Sequence, residues 1–460
     1  MKAEEIYRRL PVGLQNAACS LEGLRIRRSR YNRDFWARLQ RAELRATQTH
    51  REVEAFRDTQ LAEFVNHAAT TVPYYRELFA RIGAEPGDIR KLDDLALLPV
   101  LTKAQVQADA TKFLSDAVPV AQRVSCHTSG TTGAGLEFFS TADAEREQYA
   151  MWWRYLHWHG LEFGTWCAYF GGRSVVPVGQ RTPPFWRTSL PLNMVLFSGY
   201  HTSPENLDLY LRKLRDARPP WLHGYPSQLT LIATHLLETK FDLGYRPRWI
   251  TIGAESLLGH QRKLIRDAFG VDPIQHYGMA EAVGNISQCP QGQLHVDEDY
   301  AAVEFLPAGD DGLCKIVGTN FSNRATPLLR YELGDHVSVS SAGCDCGRPG
   351  RVVEYIDGRK EAYIELANGV RFGRLDHIFK DLVNVREAQI RQTVVGAIEV
   401  LVVKGAGFGD GDEARLLREF RSRLGDELQI TVRYVDRIDR TGAGKLRFVV
   451  SELQHNRVNA

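Results

Sequence analysis

Apolar residues recur at helical spacing through the charged, proline-free stretch Asp34–Ala69, and predict helix over most of residues 1–115. Pro73-Tyr-Tyr75 interrupts that run, and a polar connector leads to Leu97-Leu-Pro-Val-Leu-Thr-Lys103. From Gln122 the pattern changes to short apolar runs alternating with helical ones. Trp166–Phe170, Met194–Ser198 and Arg248–Ile252 read as buried strands, while helices are expected from Gln228 and over Leu258–Phe269, where Leu264, Ile265 and Phe269 share a face. Such alternation is the mark of a mainly parallel α/β sheet. Ala302–Leu306 and Val337–Val339 suit an antiparallel, barrel-like appendage. Near Asp357-Gly-Arg359 the pattern resets, with a hairpin turning at Asn368-Gly369 and a helix over 375–382. Strands at Ala388–Gln392 and Ile398–Lys404, a helix at Glu413–Leu424 and a strand at Ile430–Val435 follow. The fold class is α/β: a large domain over 1–356, with mixed sheets flanked by helices, and a small α+β domain over 357–460.

The chain has 460 residues, enough for two cores, and its 43% hydrophobic and 25% charged residues are those of a globular protein. A net charge of +2, from 58 basic and 56 acidic residues, gives no electrostatic case for a nucleic-acid partner. No apolar run approaches the roughly 20 residues a transmembrane helix needs. The polar start Met1-Lys-Ala-Glu-Glu5 lacks a secretory signal. The seven cysteines are odd in number and argue against a disulfide framework, so a cytoplasmic location is expected. The basic patch Arg25–Arg30 reads as a solvated helix face.

Four segments carry chemistry. In Ser125-Cys-His-Thr-Ser-Gly-Thr-Thr-Gly133, two glycines let the backbone approach a ligand, and hydroxyls with successive N–H groups can surround a polyphosphate. No Lys-Ser/Thr follows at Walker spacing. Gly253-Ala-Glu255 and His276-Tyr-Gly-Met-Ala-Glu281 each follow a strand, where α/β sheets bind ligands. There an aromatic residue can stack on a base and a carboxylate can hold Mg²⁺. Leu329-Arg-Tyr-Glu-Leu-Gly-Asp335 offers an aspartate after a glycine turn that can accept ribose hydroxyls, with Arg330 available to an anion. Thr441-Gly-Ala-Gly-Lys445 sets a lysine on a glycine-flexible loop. Singly, each segment is equally at home in a flexible loop, a solvated strand end or an exposed turn.

In this order the four resemble the adenylate-forming superfamily of acyl-CoA ligases and adenylation domains. Pro73-Tyr-Tyr-Arg-Glu-Leu-Phe79, Leu98–Lys103 and Glu387-Ala-Gln-Ile-Arg-Gln392 resemble its phenylacetate-CoA ligase and CapK-like branch. The resemblance, over roughly residues 60 to 450, implies ATP-dependent activation of a carboxylic acid to acyl-AMP and transfer to coenzyme A. It implies that Ser129, Gly130, Thr131, Thr132 and Gly133 hold the ATP phosphates. Gly253, Ala254 and Glu255 would lie beside adenine and substrate, with Tyr225 also near the acid. His276, Tyr277 and Gly278 would line the nucleotide, Glu281 would bind Mg²⁺, and Asp335 would take the ribose hydroxyls near Arg359. Lys445, on a mobile small domain, and Lys103 would meet the reacting anions. Ala134-Gly135 stands where the family often has Lys-Pro, and Glu361 replaces a hinge aspartate. These departures leave open a carrier-protein thiol or an amine as the acceptor, or a ligand-binding homologue without chemistry. A monomer or a homodimer is expected.

Cys289, His295, Cys344 and Cys346 form a soft four-donor set suited to structural Zn²⁺, and related sequences show a similar arrangement. The acid is not legible beyond an aryl or arylacetic expectation drawn from the resemblance. Trp152, Trp153, Tyr155, Trp158, Trp166 and Tyr169 would suit an aryl pocket but equally an ordinary core.

Overall fold

The computed structural model describes residues 6–7, 9–127, 136–171, 175–177, 179–308, 312–359, 364–367, 371–372, 384–405, 407–424, 428–440 and 446–453. Ser129–Gly133, Ala134-Gly135, Glu361, Lys445, the 368–369 turn and the helix expected over 375–382 lie outside them, as does the side chain of Arg359.

Helices α1 (Val12–Arg30), α2 (Arg33–Arg45), α3 (His50–Thr71) and α4 (Pro73–Ile82) make the N-terminal layer. The run expected from Asp34 to Ala69 is two helices, because Thr49 opens a fresh one. Its hydroxyl accepts from Glu52 N while the Glu52 carboxylate accepts from Thr49 N, a reciprocal cap. Pro73 begins α4 at its first turn, where a missing N–H costs nothing. The basic end of α1 is partly engaged: Arg30 pairs with Glu145 at 2.6 Å.

The hairpin β1 (Arg123–His127) and β2 (Glu137–Thr141) closes at His127↔Glu137, so the hydroxyl-rich segment is the connection at its tip. Helix α5 (Lys103–Ala108) precedes it and α6 (Ala142–Trp158) follows.

Short apolar strands β3 (Cys167–Phe170), β5 (Met194–Phe197), β6 (Trp221–Gly224), β7 (Trp249–Ile252) and β8 (Pro273–Gly278) run parallel in the order β5-β3-β6-β7-β8. Such strands are covered on both faces, hence their near-continuous hydrophobicity. The antiparallel β4 (Trp186–Ser189) closes that edge. Helices α7 (Pro204–Ala217), α8 (Pro226–Thr239) and α9 (Gly259–Phe269) accompany them. Beyond β8 come β9 (Asn285–Gln288), β10 (Leu294–Val296), β11 (Ala301–Pro307), β12 (Cys314–Asn320), β13 (Tyr331–Val339) and β14 (Val352–Arg359). Ala302–Leu306 and Val337–Val339 were expected in an antiparallel, barrel-like appendage, and they are antiparallel. β9 pairs directly with β8, and β9 to β14 all extend one twelve-stranded mixed sheet.

Strands β15 (Ile364–Glu365) and β16 (Arg371–Phe372) form a small ladder. β17 (Val385–Val394), β18 (Ala397–Lys404), β19 (Gln429–Tyr434) and β20 (Val449–Ser451) form a second sheet in the order β19-β18-β17-β20. Helix α10 (Asp410–Leu424) covers it with Leu416 and Phe420 against Ile390 and Val400. This small unit has its own core and an α+β layout.

Candidate active site

The carboxyl ends of β3, β6, β7 and β8 lie side by side, and Tyr225, Gly253, Ala254, Tyr277 and Gly278 lie at or just past them. Tyr225 caps the start of α8 and donates its backbone N–H to Phe170 O at 2.9 Å, tying the ends of β6 and β3 together. Gly224 must be glycine, since a Cβ there would lie 2.2 Å from Phe170 O. Gly253 and Ala254 follow β7, and Ala254 adopts φ +65°, a left-handed turn that swings the chain out of the sheet.

Glu255 is engaged rather than open to solvent. Its carboxylate accepts from Ser227 N and from Leu446 N, each at 3.2 Å. Burial raises its carboxyl above the ordinary value, with the Ser227 hydrogen bonds and the Arg440 charge offsetting part of the rise. Leu446 directly follows Lys445 in the sequence. The small unit also meets α8 through an Arg386–Glu238 ion pair.

Adjacent strand residues point to opposite faces, and this separates His276 from Tyr277. The Tyr277 hydroxyl donates to Asp335 Oδ2 at 2.7 Å, joining two residues that the sequence assigned to one nucleotide. The His276 ring lies instead against Trp152 and Tyr155 of α6, with centroids at 4.8 and 5.1 Å. Burial pushes its imidazole down to about 3, with His223 and Arg154 adding to the shift. Gly278 ends β8, and the turn after it carries Glu281, which is 8% exposed. That turn is held by Gln148 Nε2 donating to Met279 O at 3.1 Å and by Asn320 donating to Ala282 O. It also packs on Gly318, where a Cβ would lie 1.9 Å from Val283 O.

Asp335 lies on β13 with Arg359 as its backbone partner on β14. The segment carrying Lys103 is fastened to the start of the same strand: Leu101 N donates to Arg330 O and Glu332 N donates to Leu101 O, both at 2.9 Å. Lys103 is then the first residue of α5. Arg330, offered by the sequence to an anion, is held by Glu304 at 3.0 Å and by the Leu98 carbonyl.

Sequence reasoning missed the buried ion network beneath the site. Arg154 of α6 binds Asp297 at 2.7 Å and Asp299 at 2.8 Å, and Arg45 and Arg57 reach Asp299 and Glu298. Asp297 also accepts from Asn285 and from Ser287 at 2.7 Å, tying β9 to the turn after β10. The Asp297-Glu298-Asp299 run was the available signal, since three acids beside apolar strands need buried partners.

Comparisons with known proteins show likenesses of sequence and of fold. Residues 365–452 match the family described as the CapK C-terminal domain. Protein CapK of Staphylococcus aureus is 25% identical over 98% of this chain and 99% of its own. Phenylacetate-coenzyme A ligase of Thermus thermophilus is 26% identical over 65% of this chain and 68% of its own. The chain is thus similar to protein CapK along nearly its whole length and to phenylacetate-CoA ligases along about two thirds of it. The fold of a 2-hydroxyisobutyryl-CoA ligase crystal structure, bound to R3-HIB-AMP, superposes at TM-score 0.68 with 17% identity, covering 90% of this chain and 92% of that one. That likeness is one of fold.

Cys289, His295, Cys344 and Cys346 also converge, with their donor atoms all within 4.8 Å of one another. The Sγ atoms of Cys289 and Cys344 are 3.8 Å apart, and Cys346 Sγ is 3.4 Å from His295 Nε2. Tetrahedral Zn–S bonds of about 2.3 Å place two sulfurs roughly 3.8 Å apart, so the spacing fits. His295 Nδ1 lies 3.3 Å from the Pro349 carbonyl, which can only accept. The proton is therefore on Nδ1, and Nε2 is free to ligate. Burial and neighbouring thiols push Cys344 up to about 11. For Cys346, hydrogen bonds from the Arg348 backbone and nearby thiols outweigh burial and draw the thiol down. The register His276↔Ser287 puts Cys289 toward the amino end of β8, away from Tyr277 and Gly278. All seven cysteines carry free thiols. Among the described residues no helix is long and apolar enough to cross a membrane.

Proposed function

We propose that the chain uses ATP and Mg²⁺ to convert a carboxylic acid to its acyl-AMP, then passes the acyl group to the thiol of coenzyme A. The observation that carries this is the Tyr277–Asp335 hydrogen bond at the carboxyl end of the sheet. It sits in the same sheet whose β7 end leads to Glu255 and, through it, to the residue after Lys445.

In this reading the acid's carboxylate oxygen forms a bond to the α-phosphorus of ATP, and the bond to the departing pyrophosphate breaks. Two anions must meet, so cationic side chains dominate the chemistry. Lys445 and Lys103 offset the charge, and the backbone of Ser129–Gly133 cradles the leaving phosphates. Asp335 holds the ribose hydroxyls, Tyr277 lies on adenine, and Gly253 and Ala254 leave room for the acyl-adenylate. Glu281 is the oxygen donor for Mg²⁺, and its carboxylate on a tight, packed turn suits a hard cation. The small domain, divided from the large one near Asp357, then turns to admit the thiol, whose sulfur displaces AMP. Free cysteines suit a cytoplasmic enzyme. The donors at Cys289, His295, Cys344 and Cys346 support a structural Zn²⁺, with no part in the reaction.

The test is ATP–pyrophosphate exchange across a panel of aryl, arylacetic and hydroxylated acids. Acid-dependent exchange is expected, followed by AMP release on adding coenzyme A. Binding of ATP without exchange for any acid contradicts the enzyme reading. Acyl-AMP consumed by hydroxylamine or a carrier protein, with coenzyme A ignored, contradicts the acceptor.

A further inference from the structure

Below Gly253, on the sheet face covered by α6, lies a group of side chains that a well-filled core does not leave accessible. Tyr169, His223 and Thr251 stand level on β3, β6 and β7, and His276 is on the same face of β8. Their opposite-face neighbours Ala168, Leu222 and Ile250 are 0% exposed. Tyr169, His223 and His276 are nevertheless only half-buried, as is Trp152 of α6, although all sit on interior strands or on the helix above them. Interior positions that keep accessibility mark a gap between helix and sheet. At its mouth Gly253 presents backbone alone, while the Tyr169 ring folds over Gly171, where a Cβ would lie 2.4 Å from its hydroxyl. The nearest atom to a Cβ on Gly253 would be His276 O at 3.4 Å, so the floor is bare there.

The polar groups of this slot are unusual for an aryl pocket. The Thr251 hydroxyl lies 2.8 Å from Trp221 Nε1, which donates to it, and 2.9 Å from His223 Nδ1. His223 Nδ1 is also 3.1 Å from the Thr251 carbonyl, an acceptor, so the proton is on Nδ1. His276 Nε2 is buried with no hydrogen-bond partner. The Cε1–Nδ1 edge of the same ring lies over Gly278, with Cε1 3.1 Å and Nδ1 3.7 Å from where a Cβ would be. That edge therefore faces the carboxyl ends of the strands, where the acid must react. In register, Ile252↔Gln275 makes His276 level with Gly253, while His223 is one residue pair deeper. A strand rises about 3.3 Å per residue, so His276 stands beside the first carbons of an acid at Gly253 and His223 roughly 7 Å further in.

We propose that this slot selects a carboxylic acid carrying a neutral hydroxyl close to its carboxylate, and that His276 is the specificity residue that bonds it. The inference rests on the acyl-AMP reading above and adds the class of acid. A neutral imidazole offers one donor and one acceptor, which suits a hydroxyl and disfavours a second carboxylate. A site built to bond a hydroxyl discriminates strongly against the analogue that lacks it, because its own polar groups then stay unpaired.

The experiment is ATP–pyrophosphate exchange by the full chain with matched pairs: mandelate against phenylacetate, salicylate against benzoate, and lactate against propionate. The hydroxylated member of at least one pair is expected to be preferred at least about tenfold in kcat/KM. In His276→Phe that ratio collapses to within about twofold, while His276→Asn, which keeps a hydrogen-bonding side chain, retains part of it. A merely structural role lowers both members of a pair together and leaves the ratio unchanged. Equal use of both members of every pair by the wild type overturns the inference and leaves the acyl-AMP reading standing, as does a ratio that survives in His276→Phe. Absence of exchange with every acid overturns both.

Discussion

The Glu255 carboxylate bridges two backbone N–H groups far apart in the chain, Ser227 at the start of α8 and Leu446 beside Lys445, each at 3.2 Å. It ties Leu446 of the small unit to the carboxyl end of the main sheet in the arrangement described here. A hydrogen bond to a charged acceptor contributes about 1.5–3 kcal/mol. Glu255→Ala is therefore expected to slow acyl-AMP formation by about tenfold or more in pyrophosphate exchange, with the melting temperature moved by only a few degrees. Glu255→Gln, which keeps one accepting oxygen, should fall between. Wild-type exchange in Glu255→Ala would remove the bridge from the account.

The Tyr277–Asp335 contact makes a second, separable prediction. Asp335→Ala removes both the acceptor of the 2.7 Å bond and the ribose partner, and should raise the KM for ATP about tenfold or more. Tyr277→Phe loses one neutral-donor hydrogen bond, worth about 1 kcal/mol, and should raise it about fivefold. Neither change should alter which acids are accepted. An ATP KM indifferent to Asp335 contradicts the assignment of the nucleotide to this sheet end.

Metal content provides a third. Cys289, His295, Cys344 and Cys346 should hold one zinc per chain, measured by elemental analysis of protein purified without added metal. Removing it with a strong chelator, or making Cys289→Ser, should lower Tm by roughly 5 °C or more, since bound metal adds directly to folding free energy. Pyrophosphate exchange below the new Tm should persist. Protein without zinc that melts at the same temperature with or without chelator contradicts the site.

His276 also predicts a pH dependence. Burial depresses its imidazole to about 3, so between that value and the ordinary histidine range near 6.5 the unfolded chain binds the proton and the folded chain does not. Stability should thus fall as pH drops below about 6.5, with a contribution of up to about 2 kcal/mol by pH 5. Urea unfolding of His276→Phe should show a smaller loss between pH 7 and pH 5 than the wild type. Equal losses contradict a neutral His276 in the folded chain.

Much of this was legible from local pattern. Short apolar runs before Gly253 and His276 announced parallel strands, and the four metal donors announced themselves by type. The continuation of the sheet past β8 was not legible, because it depends on which strand edge β9 meets, and a run such as Asn285–Gln288 carries no record of its partner. Pro73 does interrupt the helical run, as expected, but it also opens the next helix at its first turn, a second role that the break alone does not reveal. The aromatic run on α6 divides once its surroundings are known. Trp153 and Tyr155 are core, while Trp152 faces His223 and His276. Spacing along α6 cannot reveal that division, since the histidines arrive from β6 and β8. Arg154 was invisible for the same reason, because its partners lie on the far side of the chain at Asp297 and Asp299.

The central claim is that this chain forms an acyl-adenylate with Lys445 offsetting the meeting of carboxylate and phosphate. Acid-dependent ATP–pyrophosphate exchange by the wild type and by Lys445→Ala, with circular dichroism to monitor the fold, tests it most directly. The account predicts exchange in the wild type and a loss of about a hundredfold or more in the variant, at unchanged secondary structure. Exchange that proceeds at wild-type rate in Lys445→Ala, or a wild type that binds ATP and exchanges with no acid, contradicts it.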